Sequence, residues 1–444
     1  MEIKLYNSMS NQVEIFKPII PNKVMIYVCG PTVYNDPHLG NMRPPLVFDV
    51  LRRMFTYYGY QVKLVSNITD VDDKIIKVAI ETKTSEAEVS KKYEAEYVND
   101  LKDLNVIKYD ATPHAVATIG AMIKFIEQLI NCGAAYENDG DVFFSVKNAQ
   151  DYGKLGNFKV SDLQAGARVE ENSKKKDPLD FALWKKTNVG ITFPSPWGEG
   201  RPGWHTECVV MINDIFKQPL IDIHGGGFDL KFPHHENEIA QARALFKTEL
   251  ANYWLHVGFI DIDDIKMSKS LGNVINARQF IDKYGANIVR LVILSTHYRA
   301  PLNISDTVIE TATTENEKIA AIIKQVEIQL QLNGVTFAPK GDETLIDKVG
   351  MALADDLNTS NALTAIYEMI KDLNVTLRKR DYNGVAKMLK SLQDSLYLLG
   401  LIYPMTKLSE TDLALFKKWN DYRANKDFAN ADLVRQELVK KGLV

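Results

Sequence analysis

The stretch Val24-Met-Ile-Tyr-Val28-Cys29-Gly-Pro-Thr-Val-Tyr-Asn-Asp-Pro37-His38-Leu39-Gly40-Asn41 decides the fold. Its apolar, β-branched start predicts a buried strand, which Cys29-Gly30-Pro31 ends in a turn. Apolar residues between Val47 and Tyr58 then recur at helical spacing, which predicts a helix closed by Gly59. This arrangement places a thiol, a histidine and free backbone amides at the carboxyl edge of a sheet, where open α/β folds bind ligands.

Length and composition limit the classes of protein that this chain can belong to. Its 444 residues allow about two to four domains, because a single hydrophobic core stops growing near roughly 250–300 residues. Apolar residues make up 45% of the chain, and the net charge of −4 excludes a uniformly basic nucleic-acid coat. No secretory leader, membrane-length apolar run or disulfide framework is visible. We therefore expect a cytoplasmic protein without a membrane partner.

The order of periodic segments predicts the architecture. Alternating strand and helix patterns predict a parallel sheet, with a second strand over 61–66 and helices over roughly 85–104 and 114–132. Strand patterns return at 220–227 and 253–259, on either side of a helix that begins at Pro233. The C-terminal segments are predicted to be helices over 306–332, 345–356, 359–379, 383–399 and 409–441. We predict an α/β fold: a split Rossmann-like doubly wound parallel sheet with an insert, followed by an α-helical C-terminal half.

Four residues that are far apart in sequence could form a metal site. Cys29 ends the first strand, and Cys208 lies in a region that holds five of the eight histidines. His234 and Glu238 are four residues apart on a predicted helix, so they face the same side. Two thiolates, an imidazole and a carboxylate suit zinc. Taken singly, each cysteine also fits a small buried hydrophobic residue, and Glu238 also fits a helix start.

Two loops have the composition of nucleotide-binding segments. Pro37-His38-Leu39-Gly40-Asn41 places an imidazole and a glycine at a helix start, where the helix dipole attracts phosphate. Lys266-Met267-Ser268-Lys269-Ser270 carries two lysines three residues apart, which suits a loop that closes over pyrophosphate. Taken alone, the first pattern is common and the second could be a solvated basic loop. Their occurrence together, in this order, favours the nucleotide interpretation.

These two loops resemble the HIGH and KMSKS signatures of the class I aminoacyl-tRNA synthetases, and the chain resembles the cysteinyl-tRNA synthetase family within that class. Seven further segments carry the resemblance over nearly the whole chain: Tyr27-Val-Cys-Gly-Pro-Thr-Val-Tyr34, Asn67-Ile-Thr-Asp-Val-Asp-Asp-Lys74, Asp180-Phe-Ala-Leu-Trp-Lys185, Gly203-Trp-His-Thr-Glu-Cys208, Gly225-Gly-Gly-Phe-Asp-Leu-Lys-Phe-Pro-His-His-Glu-Asn-Glu238, Ala354-Asp-Asp-Leu-Asn-Thr359 and Lys426-Asp-Phe-Ala-Asn-Ala-Asp432. One departure is Asn41, where the family signature ends in histidine. An amide can still donate a hydrogen bond, so we expect phosphate binding to survive.

The resemblance implies a two-step reaction. Cysteine and ATP form cysteinyl-adenylate and pyrophosphate, and the cysteine is then transferred to cysteine tRNA with release of AMP. Mg²⁺ would accompany the ATP, and one zinc ion per chain would select the substrate thiolate. The implied metal ligands are Cys29, Cys208, His234 and Glu238; the implied amino-acid-binding residues are Gly30, Thr69, Trp204 and Asp229; the implied ATP-binding or catalytic residues are His38, Gly40, Asn41, Lys266 and Lys269. No role is assigned to His205, His224, His235 or His256.

The resemblance also implies a division into functional regions. The predicted limits are 1–140 and 197–260 for the two halves of the catalytic domain, 141–196 for the connective insert, 261–304 for the KMSKS loop and stem-contact region, 305–402 for a helical bundle that docks tRNA, and 403–444 for the start of an anticodon-binding region. The family normally continues beyond this point, so we expect a truncated anticodon region. We expect a monomer.

Two other functions fit parts of the pattern. A cysteine ligase of the mycothiol-pathway type resembles this family in its catalytic domain but does not need the long helical half. A zinc-bearing RNA-binding paralogue would need no catalytic loops, whereas both His38-Leu-Gly40 and Lys266-Met-Ser-Lys-Ser270 are intact. Both observations favour the synthetase.

Overall fold

The structure is a computed structural model that describes residues 1–158, 174–267 and 272–444. Lys269, one of the predicted ATP-binding residues, lies outside the described residues. The described strands are β1 (Lys4–Asn7), β2 (Gln12–Ile15), β3 (Lys23–Val28), β4 (Gln61–Ser66), β5 (Ala135–Asn138), β6 (Asp141–Phe144), β7 (Phe181–Lys186), β8 (Gly200–Pro202), β9 (Ile221–Gly227), β10 (Ala251–Val257), β11 (Ile260–Ile262), β12 (Ile265–Lys266) and β13 (Leu302–Ile304).

The described α-helices follow the same chain order. They are α1 (Leu39–Tyr57), α2 (Asp73–Thr82), α3 (Glu86–Asp103), α4 (Ala115–Asn131), α5 (Glu207–Phe216), α6 (Glu236–Phe246), α7 (Ala277–Tyr284), α8 (Ala286–Leu294), α9 (Asp306–Leu332), α10 (Glu343–Ala354), α11 (Thr359–Arg378), α12 (Tyr382–Leu398), α13 (Glu410–Ala424) and α14 (Phe428–Lys440). Among the described residues, no helix has both the length and the apolar character needed to cross a bilayer.

The chain divides into two compact units. The first comprises residues 1–305 together with 354–358, and the second comprises residues 306–353 and 359–444. The first contains the strands and α1 to α8, whereas the second is built from α9 to α14. The α/β fold with a helical C-terminal half is therefore confirmed.

Four strands form the parallel sheet of the first unit, in the order β10-β9-β3-β4. β3, the strand of the opening stretch, is central, and every side chain from Val24 to Val28 is buried. A parallel strand covered on both faces requires such a continuous apolar run. Helix α1 packs against β3 and β4, while α4, α5 and α6 contribute to the core cluster that includes Met25 and Tyr27 of β3. The predicted doubly wound sheet is confirmed.

The described part of the first unit holds three further sheets, of which the simplest is the antiparallel pair of β1 and β2. β5, β6, β7 and β8 form an antiparallel sheet between Ala135 and Pro202, with the buried Trp184 on β7. β11 pairs with β12 in a hairpin and with β13 in parallel. That hairpin leads directly into the second predicted nucleotide loop, because β12 ends at Lys266. The division into two compact units does not test the predicted limits of the six functional regions, which stay predictions.

Three local features differ from the sequence predictions. The helix expected from Pro233 becomes regular at Glu236, because Phe232 has an extended backbone with φ −142° and ψ 136°. The single helix expected over 409–441 is two helices, α13 and α14, separated at Lys426 by a left-handed backbone with φ 58°. Helix α2 was not predicted; its start is capped by the Asp72 side chain, which accepts from the Lys74 amide.

Candidate active site and metal centre

A cavity of about 430 Å³ lies at the carboxyl edge of the parallel sheet. The opening stretch supplies much of its lining, because β3 ends there and α1 begins there. Among the predicted site residues, the following line the cavity: Cys29, Gly30, His38, Gly40, Asn41, Trp204, Asp229 and Lys266. Thus one cavity collects predicted metal, amino-acid and nucleotide residues from segments more than 200 positions apart.

The turn after β3 can be so tight only because it contains glycine. A Cβ atom on Gly30 would lie 1.6 Å from the backbone oxygen of Asn67, at the end of the neighbouring strand. The Gly30 amide donates to the Asn67 side-chain oxygen at 2.8 Å. This contact holds the ends of β3 and β4 close together and places Cys29 at the cavity wall.

The four predicted metal ligands converge. The Sγ atoms of Cys29 and Cys208 are 3.6 Å apart, and Cys208 Sγ lies 3.6 Å from Nε2 of His234. The same His234 nitrogen lies 2.9 Å from Oε1 of Glu238, so the expected one-turn spacing is confirmed. The four donor atoms lie within 4.8 Å of one another, and all but Cys29 belong to fully buried residues. This cluster could hold one metal ion.

The charges of this cluster are strongly perturbed. Burial opposes ionisation of Glu238, but His234 and His224 outweigh it and lower the pKa of the carboxyl to about 2. Burial likewise opposes the thiolate of Cys29, yet the contact with Cys208 and the nearby histidines lower its pKa well below the usual value. For Cys208, burial and the neighbouring Cys29 thiolate both raise the pKa. Because the two sulfurs are adjacent, ionisation of one opposes ionisation of the other, and a cation between them would favour both thiolates.

A second donor set overlaps the first. Cys29, Glu238, His224 and His235 also bring one ligand atom each within 4.8 Å of the others. His235 Nε2 lies 3.3 Å from Cys29 Sγ, and His224 Nε2 lies 2.7 Å from Glu238 Oε2. His224 Nδ1 in turn faces the Tyr27 carbonyl at 3.0 Å. The sequence did not anticipate this set, because strand spacing gives no sign that His224 reaches Glu238.

The remaining histidines extend the cluster into the protein. His235 Nδ1 lies 2.9 Å from His256 Nε2, and His256 Nδ1 lies 2.8 Å from the Ser8 hydroxyl. On the other side, His205 and His234 approach through their Nδ1 atoms at 3.1 Å. Burial lowers the pKa of His205 to about 3, so this imidazole is neutral at pH 7. All five histidines between 205 and 256 therefore belong to one connected group.

The predicted amino-acid residues separate into two kinds. Trp204 and Asp229 line the cavity, and the Trp204 ring stacks on His234 with centroids 4.2 Å apart. Thr69 is buried instead, and its hydroxyl donates to the Glu207 carboxylate at 2.6 Å. Burial raises the pKa of Glu207 to about 8. Trp204 thus links the cavity wall to a predicted metal ligand, whereas Thr69 lies behind the wall.

The nucleotide side is built at the start of α1. The side-chain oxygen of Asn41 accepts from the His38 amide at 3.0 Å, and the NH₂ group of the same side chain can act as a donor. Backbone hydrogen bonds from Leu39 to Ile275 and from Ala277 to Pro37, both 2.9 Å, tie this start to the segment after the second signature. A Cβ atom on Gly40 would lie 2.9 Å from the Met267 methyl group. The two signatures are therefore in contact.

Several cavity residues were not predicted from the sequence. Tyr34, Lys74, Tyr93 and Tyr97 line the same cavity, and the Lys74 ammonium lies 5.4 Å from the centre of the Tyr34 ring. The four-residue spacing of Tyr93 and Tyr97 on α3 was the available signal, because it places both rings on one helix face. Only the fold shows that this face meets the first loop.

The chain is similar to known proteins along its length. Residues 15–314 match the family described as tRNA synthetases class I (C) catalytic domain, and residues 348–403 match the DALR domain. A cysteine–tRNA ligase of Acholeplasma laidlawii (strain PG-8A) is 43% identical over 442 residues, covering 100% of both chains. A cysteine–tRNA ligase of Staphylococcus aureus (strain Newman) is 42% identical, covering 100% of this chain and 97% of the relative.

Solved structures show the same fold at low identity. A methionyl-tRNA synthetase of Mycobacterium tuberculosis in complex with methionyl-adenylate has a TM-score of 0.61 at 15% identity, covering 85% of this chain and 89% of that chain. A LeuRS of Agrobacterium radiobacter K84, in a ternary complex with tRNA and LeuAMS, has a TM-score of 0.63 at 12% identity, covering 90% and 88%. At these identities the likeness concerns the fold alone.

Proposed function

The chain belongs to the cysteine–tRNA ligases, within the class I aminoacyl-tRNA synthetases, and we propose that its buried cysteine–histidine cluster selects the substrate by binding one zinc ion. The enzyme ligates cysteine to tRNA, with ATP as the second substrate. Similarity over the full length of a relative, including the DALR domain, favours this activity over a small-molecule ligase or a non-catalytic paralogue.

The two sulfur atoms of the cluster carry the zinc proposal. Tetrahedral zinc with bonds of about 2.3 Å to sulfur separates two thiolates by about 3.8 Å, close to the 3.6 Å between Cys29 and Cys208. His234 and Glu238 complete a set of four donors. Bound zinc would supply a soft Lewis acid that accepts a thiolate sulfur in preference to a hydroxyl. His224, which faces the other oxygen of Glu238, would orient that ligand from behind.

Discrimination against serine explains why the site needs such a centre. An apolar pocket separates near-isosteric substrates by only about 10–200-fold. In our proposal Asp229 pairs with the ammonium group of cysteine, and Trp204 packs beside its sulfur. Both side chains line the cavity next to Cys29, which supports these roles.

The residues at the start of α1 would bind ATP. His38 and the Asn41 amide group would donate to its phosphates, where the helix dipole adds favourable charge. Lys266 and Lys269 would stabilise the pyrophosphate as its charge develops, and Mg²⁺ would accompany the nucleotide. No general base is needed, because the attacking carboxylate is already ionised at neutral pH. Catalysis would then depend on positioning and electrostatics.

Further parts of the proposal concern partners and organisation. The helical unit, which includes the DALR match, would dock cysteine tRNA, with residues 403–444 as the start of an anticodon-binding region. A monomeric state and a cytoplasmic location are part of the same proposal. We also propose that residues 141–196 form the connective insert and that residues 261–304 form the KMSKS loop and stem-contact region.

Four variants test which donor set holds the metal. Cys208→Ala and His234→Asn remove ligands of the proposed set alone, whereas His224→Asn and His235→Asn alter only the overlapping set. We expect the first two proteins to lose zinc in metal analysis and to lose cysteine-dependent ATP–pyrophosphate exchange. The other two should retain about one zinc ion per chain, although His224→Asn weakens the support of Glu238. The reverse pattern would assign the metal to the overlapping set.

A further inference from the structure

Arg43 is a buried cation with unusual partners. It lies on α1, two residues after Asn41, and is 1% exposed. Its Nη1 atom donates to the carbonyl oxygens of Gly258 and Phe259 at 2.7 and 2.6 Å, and its Nη2 atom donates to Ala300 at 2.8 Å. Burial lowers its pKa to about 10. These acceptors are main-chain oxygens, which offset much of the cost of burying the charge, and the Asp261 carboxylate adds a favourable electrostatic interaction.

The other buried arginine contacts in this region are different. Arg53 on the same helix and Arg290 on α8 both bind the carboxylate of Asp49. Ion pairs of this kind are the ordinary way in which a fold accommodates a buried guanidinium. Arg43 instead gathers carbonyl groups from two separate chain segments. Its fork geometry therefore serves to hold those segments in fixed relation to α1.

The segments that Arg43 holds lead to the second signature. Gly258 and Phe259 connect β10 to β11, and the hairpin of β11 and β12 ends at Lys266. The ammonium group of Lys266 lies 3.4 Å from the centre of the Phe259 ring. A cation at this position over an aromatic face is attracted by the ring quadrupole. Phe259 thus accepts a hydrogen bond from Arg43 through its carbonyl oxygen and contacts the Lys266 ammonium through its ring.

The same arginine is rigidly linked to the first signature. α1 begins immediately after His38 and presents Asn41 at its first turn, so Arg43 cannot move relative to them without bending the helix. Phe259, Lys266, His38 and Asn41 all line the cavity. The position of the Lys266 ammonium relative to the phosphate-binding end of α1 therefore depends on Arg43 and Phe259.

We propose that Arg43 and Phe259 are positioning residues for adenylate formation, which fix the Lys266 ammonium opposite the start of α1. Arg43 acts on the backbone of residues 258 and 259, and Phe259 acts through its ring. Neither transfers a proton or forms a bond to substrate. The inference rests on the proposed role of Lys266 in stabilising pyrophosphate.

Kinetics of the two half-reactions provide the test. Phe259→Leu removes the ring but keeps the carbonyl that Arg43 binds, and Arg43→Lys keeps the charge but loses the fork. For both we expect the kcat of cysteine-dependent ATP–pyrophosphate exchange to fall at least tenfold, with the KM for cysteine within about twofold of the wild type. Transfer of cysteine from preformed adenylate to tRNA should be unchanged. Arg52→Gln is the matched control, because Arg52 is also on α1 and donates to a carbonyl, that of Lys108.

Three results would overturn the inference. If Phe259→Leu lowers both half-reactions in parallel with its melting temperature, the residue has only a structural role. If Lys266→Met reduces exchange but Phe259→Leu does not, the Phe259 ring is not needed to position Lys266, although Lys266 acts as proposed. If Lys266→Met leaves exchange unchanged, the proposed role of Lys266 fails, and the inference fails with it. Phe259→Leu decides the matter even if Arg43→Lys does not fold.

Discussion

At the scale of single residues, Trp204 joins the cavity wall to the proposed metal cluster. Its ring is 40% exposed toward the cavity side and stacks on His234 at an interplanar angle of 21°. Trp204→Leu removes this surface, so we expect the KM for cysteine in pyrophosphate exchange to rise about tenfold with little change in kcat. Trp197→Leu is the control, because Trp197 packs against Trp184, with a tilted interplanar angle of 57°, at the core that includes residues of β5, β6 and β7. An unchanged KM would remove Trp204 from the binding site.

Residue chemistry is also where sequence analysis was most informative. Cys29, Cys208, His234 and Glu238 were predicted as one set from residue type and helical spacing, and the structure brings their donor atoms together. The overlapping set with His224 and His235 was not predicted. Its contacts depend on how β9 faces α6 and how the end of β3 faces the turn before α6, and local periodicity carries no information on such long-range pairing.

At the scale of elements, the close approach of β3 and β4 requires Gly30. Alanine at this position would drive its Cβ into the Asn67 carbonyl, which is backbone and cannot rotate away. We expect Gly30→Ala to lower the free energy of unfolding by about 3 kcal/mol or more in denaturant titrations. Gly120→Ala is the matched control, since Gly120 is in α4 with open space around its Cβ position. That control should gain about 0.5–1 kcal/mol. Equal stability of the two variants would contradict the steric argument.

The contact of α3 with α7 should make stability depend on pH. Burial raises the pKa of Asp100 from 3.8 to about 6. Arg278 opposes this rise, whereas the acidic groups Asp103, Asp282 and Asp36 add to it. A raised carboxyl pKa means that the charged form is disfavoured in the folded state, so the penalty is present above pH 6 and fades toward pH 4. Asp100→Asn should therefore raise the melting temperature relative to wild type more at pH 7.5 than at pH 5. A difference that is the same at both pH values would contradict this assignment.

The limits of strands and helices could be predicted from the sequence at some positions and not at others. The strands at 24–28 and 61–66 were predicted nearly to the residue. The first is a continuous buried apolar run, whereas the second is apolar at Val62, Leu64 and Val65 and buried only over its last three residues. The break between α13 and α14 was missed, because Lys426 adopts a left-handed backbone without a glycine to signal it. The irregular turn before α6 was missed for a similar reason, since the extended backbone of Phe232 leaves no periodic trace.

At the scale of the whole molecule, the five residues 354–358 belong to the first unit although the helices on both sides belong to the second. Asp356 anchors them, because its carboxylate accepts from the Tyr6 amide and the Tyr298 hydroxyl, both at 2.8 Å, and from Arg299 at 2.9 Å. Asp356→Ala leaves the buried Tyr298 hydroxyl and two half-buried donors without their acceptor and should destabilise the first unit by about 3 kcal/mol. The exposed neighbour supplies the control: Asp355→Ala should stay within about 0.5 kcal/mol of wild type. Equal melting curves for both variants would refute the anchor.

The central claim is that the buried cluster holds zinc and uses it to recognise the substrate sulfur. Zinc K-edge X-ray absorption of the purified enzyme counts the sulfur atoms bound to the metal. With Cys29 and Cys208 as ligands, the account predicts two sulfur neighbours in the free enzyme, three after addition of cysteine, and two after addition of serine. A protein without zinc, or a sulfur count that does not change with cysteine, would contradict it.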